Sequence, residues 1–245
     1  MRLSGLGVSA LAIALLASCD KPAAVTSNNV TATAAPATVA GKNWLEVFAE
    51  TPEGGFRIGN PDAKVKLVEY ASLTCPHCRD FHDESDAMLR SKYISTGKVS
   101  YEYRNFLLNG PDYAASLLAR CEGPQAFFNL MNAFYAAQLQ WTEPFSKLSP
   151  EDSKRLAALP TDQQISGLAK AGGLDTFMRA RGMTAARFDQ CTTDPKAIKR
   201  LADIRDEAVS KYQINGTPSF LINGVVQKDI LTWPTLEPKL ESAMQ

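Results

Sequence analysis

Apolar and polar positions change rhythm several times along this chain, and each change predicts an element. Val65-Lys66-Leu67-Val68-Glu69-Tyr70 is rich in β-branched and aromatic residues and reads as a strand. From 76 to about 93 the period lengthens, with Phe81, Ser85, Met88 and Leu89 recurring at helical spacing. Residues 98–104 return to strand alternation. Strand, helix, strand predicts a βαβ unit with parallel strands and a right-handed crossover. A shorter strand is expected at 55–59, closed by the turn signal Asn60-Pro61-Asp62.

A long helical stretch follows, from 112 to about 211, broken at Pro150, Gly172-Gly173 and Gly182. Its most apolar part carries Phe127, Phe128, Leu130, Met131, Phe134 and Tyr135, which reads as core of the helical region rather than as a groove. One helix has a clean start, with Asp194 as N-cap and Pro195 at the first helical position. Its face is Ile198, Leu201, Ile204 and Ala208. Strand signals return at Ser219-Phe220-Leu221-Ile222, and Asn223-Gly224 predicts a hairpin into Val225-Val226. A last helix is expected from about Thr235.

The 245 residues are 45% hydrophobic and 21% charged, ordinary values for a globular chain. Lys plus Arg equals Asp plus Glu at 26 each, so no basic excess points to nucleic acid and no polybasic stretch to a lipid surface. Five cysteines are too few for a disulfide-built scaffold, so an apolar core must hold the fold.

The N-terminus reads as an address. Arg2 is followed by an apolar run over 3–16, too short to span a bilayer. Leu16-Ala17-Ser18-Cys19 then resembles a bacterial lipobox, in which cleavage precedes a cysteine that is lipidated. A plain secretory signal ending in small residues is the alternative. The expected division is a signal over 1–18, a lipid-anchored tether over 19–42 and a globular domain over 43–245. The tether is rich in Ala, Thr, Pro, Ser and Asn, without apolar period. Removing 1–18 takes away Arg2 alone among charged residues, leaving 25 basic against 26 acidic. Export would place the protein in the periplasm or cell envelope, where disulfides persist.

Cys75-Pro76-His77-Cys78 sits directly after a predicted strand and opens a predicted helix. The first cysteine would lie where unpaired N–H groups and the helix dipole favour an anion, and the thiolate is the nucleophile. Pro76 suits the first helical position because its missing N–H costs nothing there. His77 can add positive charge near the sulfur, and Cys78 lies within reach to resolve a mixed disulfide. Glu69 ends an apolar strand on the Val65 and Leu67 face, six residues before Cys75.

The motif, the strand before it and the later Thr217-Pro218 resemble the DsbA-like branch of the thioredoxin superfamily. The resemblance covers roughly 43–245. It implies an α/β, thioredoxin-like fold with a large helical insertion, here at about 111–211. It implies that Glu69 is buried behind the second cysteine and influences proton transfer. It implies that Pro218 is cis and, with Thr217, faces the redox pair. The implied activity is that of a thiol–disulfide oxidoreductase without cofactor. Its partners would be reduced or unfolded exported proteins and a DsbB-like membrane oxidant. The chain would be a monomer that touches the membrane by its lipid only. With Cys19 set aside for lipid, four cysteines allow three pairings. Cys75–Cys78 is assigned by the redox motif, which leaves Cys121 and Cys191 to form a structural disulfide, as in some members of the family.

Two alternatives stay open at this point. One is a reductase or isomerase on the same fold. The other is a metal-binding or copper-delivery lipoprotein, with Cys75, Cys78 and His82 as three ligands; no second Cys-x-x-Cys and no methionine-rich segment supports it. Otherwise His82 reads as a plain surface residue without a role, and no metal is expected.

Overall fold

The computed structural model describes residues 42–245. The signal, Cys19 and nearly all of the tether lie outside the described residues.

A six-stranded mixed sheet forms the centre, in the order β1-β2-β4-β3-β5-β6. The strands are β1 (Phe48–Glu50), β2 (Phe56–Gly59), β3 (Val65–Ala71), β4 (Val99–Asn105), β5 (Ser219–Ile222) and β6 (Val225–Gln227). β3 and β4 are parallel, joined through helix α1 (Pro76–Met88), as the βαβ reading requires. Every other pair is antiparallel. β3 is inside the sheet, between β4 and β5, and six of its seven residues are buried. This double burial explains its near-continuous apolar run. The β5–β6 hairpin turns at Asn223 and Gly224, both at positive φ, as a two-residue Asn-Gly turn demands.

Alternation along the strands divides the side chains between two faces. Val65, Leu67, Ala71, Val99, Tyr101, Tyr103 and Phe220 belong to one large core under α1, α3 (Gly123–Ala136) and α10 (Trp233–Met244). Val68, Tyr70 and Leu221 belong to a second core, against Leu201, Ile204 and Ala208 of α9 (Pro195–Tyr212). These three α9 residues are the face expected from the 3.6-residue period, and Asp194 caps the helix by accepting from Lys196 N.

Between β4 and β5 lies an insertion of eight helices: α2 (Gly110–Arg120), α3, α4 (Gln138–Ser146), α5 (Pro150–Ala157), α6 (Thr161–Ala171), α7 (Leu174–Arg179), α8 (Ala185–Thr193) and α9. Phe127, Phe128, Met131, Phe134 and Tyr135 of α3 are all buried. Truncating a buried phenylalanine of this kind costs about 3–5 kcal/mol. Cys121, capping α2, and Cys191, in the last turns of α8, are joined by a disulfide with Cα atoms 5.6 Å apart.

The structure adjusts several expectations. β1 and the 3₁₀ turn Trp44–Glu46 before it were not predicted, since three strand residues are too few to show a period. The helix after the motif does not run evenly to residue 93: α1 ends at Met88 and a wider π-type segment spans Leu89–Ile94. The extra residue per turn brings both Tyr93 and Ile94 into the core. α10 begins at Trp233, two residues before the expected start.

Candidate active site

β3 ends at Ala71, and the loop Ser72-Leu73-Thr74 delivers Cys75 to the N-cap position of α1. Cys75 has extended backbone and makes no side-chain capping bond, while Pro76 occupies the start of the helix. The N–H groups of the first turn therefore remain available to the Cys75 sulfur. Pro76 and His77 are exposed, Cys75 is 6% exposed and Cys78 is fully buried. Both cysteines are free thiols in this structure.

From the other side comes the segment before β5. β3 and β5 are antiparallel, with Glu69 opposite Phe220 and Tyr70 opposite Ser219, so the end of one strand meets the start of the other. The Thr217–Pro218 bond is cis. The Cys75 thiol donates to Thr217 O at 3.4 Å. The Thr217 hydroxyl is buried and has no hydrogen-bond partner among the described residues.

These surroundings separate the two thiols. The Cys75 thiol is drawn down to about 5, first by a hydrogen bond from the Cys78 thiol, then against burial by Thr217 and the backbone N–H groups of Cys78 and His77. Burial pushes the Cys78 thiol well up, and the neighbouring Cys75 and Glu69 charges add to this. At neutral pH the pair is one thiolate and one thiol. The contribution of His77 comes from its backbone; its ring is in solvent.

Glu69 is 2% exposed and shares the core face with the cysteines. Its Oε2 accepts a hydrogen bond from Tyr101 Oη at 2.5 Å. Burial pushes its carboxyl up to about 8, Tyr101 opposes this, and the Cys75 charge adds to it. It is a buried acid that titrates near neutrality, beside a thiol whose ionisation burial opposes. Behind it, the Tyr103 and Tyr135 hydroxyls meet at 2.8 Å. Tyr101 and Tyr103 escaped the sequence reading, although their parity on β4 sets both on the face of Glu69.

His82 is not a surface residue. It is half-buried, with its ring 5.2 Å from that of Tyr135, and burial pushes its imidazole down. Polar neighbours in sequence, Asp83 and Glu84, disguised a position that faces α3. Among the described residues, the three metal-type donors that come within mutual reach are Cys121, Glu122 and Cys191, and two of their sulfurs are bonded to each other. A concavity of about 440 Å³ beside that disulfide is lined by Arg120, Arg187 and Arg200. Leu108 and Leu139 are exposed; Leu108 lies just before the N-cap of α2 and Leu139 directly follows Gln138, whose side chain reaches the Cys75 carbonyl.

Three comparisons relate the chain to known proteins. A family described as Thioredoxin matches residues 51–241. A Bacillus cereus protein named "Probable disulfide bond formation protein D" is 36% identical over 181 residues, covering 73% of this chain and 74% of the relative. A Rickettsia bellii protein whose name proposes a protein-disulfide oxidoreductase is 32% identical, over 74% of this chain. The match spans 61% of the length of that relative. Among solved structures, a protein-disulfide isomerase from Novosphingobium aromaticivorans is 34% identical, with a TM-score of 0.73 over 77% of this chain and 96% of the other. Wolbachia pipientis alpha-DsbA1 shares the fold, with a TM-score of 0.61 at 24% identity over 77% of this chain and 89% of the other.

Proposed function

This chain belongs to the thioredoxin family, and we propose that within it the protein is a dithiol oxidase of exported proteins. The carrying observation is the placement of the two cysteines, Cys75 at the N-cap of α1 before Pro76 and Cys78 fully buried behind it, which draws the first thiol down and pushes the second up. A stable Cys75 thiolate favours the reduced enzyme, and so favours handing the disulfide to a client.

In the reaction, a client thiolate attacks Cys75 Sγ of the oxidised pair. The Cys75–Cys78 bond breaks and its electron pair leaves on Cys78. That sulfur is buried, so its charge is costly unless a proton follows. Glu69, with a carboxyl near 8, is protonated at neutral pH and supplies it. A second client thiolate then attacks the client sulfur of the mixed disulfide. The client leaves oxidised, and Cys75 leaves as the thiolate the site is built to hold. The exposed Leu108 and Leu139, on the helical insertion that grips the motif loop, suit the apolar segments of unfolded clients. Re-oxidation falls to a DsbB-like membrane protein.

The site of action is the cell envelope, with Cys19 lipidated and the domain standing off the membrane on its tether. No described helix is long and apolar enough to cross a membrane.

An isomerase is the second reading, favoured by the name of the Novosphingobium structure. The reduction potential of Cys75–Cys78 separates the two, since an oxidase must be the stronger oxidant. For electron flow, Cys78→Ser should accumulate mixed disulfides with exported proteins, and Cys75→Ser should form none and oxidise nothing. Absence of adducts on Cys78→Ser would refute the assignment of Cys75 as the attacked sulfur.

A further inference from the structure

The short loop carrying the nucleophile hangs from the helical insertion. Tyr135 Oη donates to Ser72 O at 3.3 Å. Asp112 Oδ1 accepts from Leu73 N at 3.0 Å, and Asn109 Nδ2 donates to Thr74 Oγ1 at 3.0 Å. Gln138 holds two points at once: its Nε2 donates to Leu73 O and to Cys75 O, each at 2.9 Å. Its Oε1 accepts from Arg79 Nη1 at 3.4 Å. Gln138 is the first residue of α4 and 3% exposed. Both hydrogens of its amide are committed, so the group cannot turn without leaving a buried carbonyl unpaired.

Cys75 O is the N-cap carbonyl of α1 and also accepts Arg79 N at 3.2 Å. Its direction sets the tilt of the peptide plane between Cys75 and Pro76, and through it that of the following planes. The N–H groups of His77 and Cys78 that support the Cys75 sulfur belong to this turn. Such bonds weaken steeply with misalignment. Held by Arg79 N alone, the carbonyl would have a wider range of directions, which would spread the orientations of these donors and weaken their hold on the anion.

We propose that Gln138 is a positioning residue for the nucleophile. From the insertion, it fixes the backbone from Leu73 to Cys75 so that the first-turn N–H groups stay aimed at the Cys75 sulfur. It acts through the backbone and touches no reacting atom. The inference rests on the reading of Cys75 as an activated thiolate. It gives the insertion a task inside the chemistry, separate from any contact with clients.

The alternative is a core amide that satisfies two buried carbonyls and contributes stability alone. Titration of the full dithiol chain by thiolate absorbance distinguishes the two, since the Cys78 thiol is pushed out of range. Gln138→Ala should shift the Cys75 titration upward by about one unit, a tenfold change in its ionisation constant. Gln138→Met keeps the length and the neutral charge but can donate to neither carbonyl, and should shift Cys75 in the same direction. If Gln138→Ala does not fold, Gln138→Met alone decides. A variant that unfolds at lower denaturant yet titrates Cys75 as the parent does would overturn the proposal. An ordinary thiol titration in the parent would overturn the reading of the site, and the role of Gln138 with it.

Discussion

Raising the pH should stabilise the dithiol form of this protein against its disulfide form. The folded Cys75 thiol lies at about 5, against an ordinary value of 9.0. Between these two values the unfolded chain holds a proton that the folded chain has shed. Stability of the dithiol form therefore rises with pH across that window and is lost as pH falls through about 5. At pH 7 about two units have been traversed, worth roughly 2.7 kcal/mol at about 1.36 kcal/mol per unit. The Cys75 sulfur lies at the edge of the core, only half surrounded by protein, so solvent screens part of this and the figure is an upper bound. Glu69 works in the opposite sense. Its folded carboxyl at about 8 keeps a proton that the unfolded chain loses near 4.5, so its contribution falls as pH rises between them. Asp112, fully buried and raised to about 6, does the same over a lower range. Asp112 acts in either redox form and cancels in the comparison, as does the part of the Glu69 shift that comes from burial; the part due to the Cys75 charge belongs to the dithiol form alone and slightly offsets the gain. The assay is denaturant unfolding of the two forms at a series of pH values, followed by tryptophan fluorescence. The gap between them should widen by about 1.4 kcal/mol per pH unit above pH 5. Through the thermodynamic cycle, about 2.7 kcal/mol at pH 7 makes the pair roughly 60 mV more oxidising than one with ordinary thiols. A gap that stays constant between pH 5 and pH 8 would refute the reasoning.

Glu69→Gln removes the buried titrating acid while leaving an acceptor for Tyr101. It should erase the limb near 8 in the pH dependence of thiol exchange, and its stability relative to the parent should grow as pH rises from 4.5 to 8. An unchanged pH–rate profile would return Glu69 to a structural role. Replacing Cys121 and Cys191 together by alanine opens a loop of 70 residues, which the chain-entropy estimate values at about 4 kcal/mol. Thermal unfolding should show a clear fall in Tm, and an unmoved Tm would count against any stabilising role for the bridge. Metabolic labelling with palmitate should mark the protein, and Cys19→Ala should remove the mark; an unlabelled parent would reduce the lipobox reading to an ordinary signal.

The redox core was legible in the sequence because its chemistry is local. Cys75, Pro76 and Cys78 are neighbours, and the strand and helix that give them meaning flank them directly. Glu69 was also legible, because a period of two on β3 fixes which face it shares with Val65 and Leu67. What failed were properties that arise between distant elements. Gln138 and Asp112 are unremarkable polar residues in a helical stretch, and their grip on the loop exists only once α2 and α4 have packed beside it. His82 looked like surface because Asp83 and Glu84 follow it, while the side that matters is the one α3 covers. β1 was too short to have a rhythm of its own.

The place of β5 in the sheet has a consequence for when this protein becomes reactive. β5 lies next to β3, yet the Thr217 carbonyl that meets the Cys75 thiol is 142 residues further along the chain. A chain that emerges from its N-terminus therefore presents the two cysteines long before the segment that completes their surroundings. Until β5 docks, Cys75 has no Thr217 beside it and Cys78 lacks the Phe220 side of its core. The emerging chain can form the local support of Cys75 from Cys78 and the first turn of α1, but not the part that Thr217 adds, nor the full burial of Cys78. Arrival of the last strands, near residue 220, completes the separation of acidities, so the finished pair belongs to a molecule that has already folded.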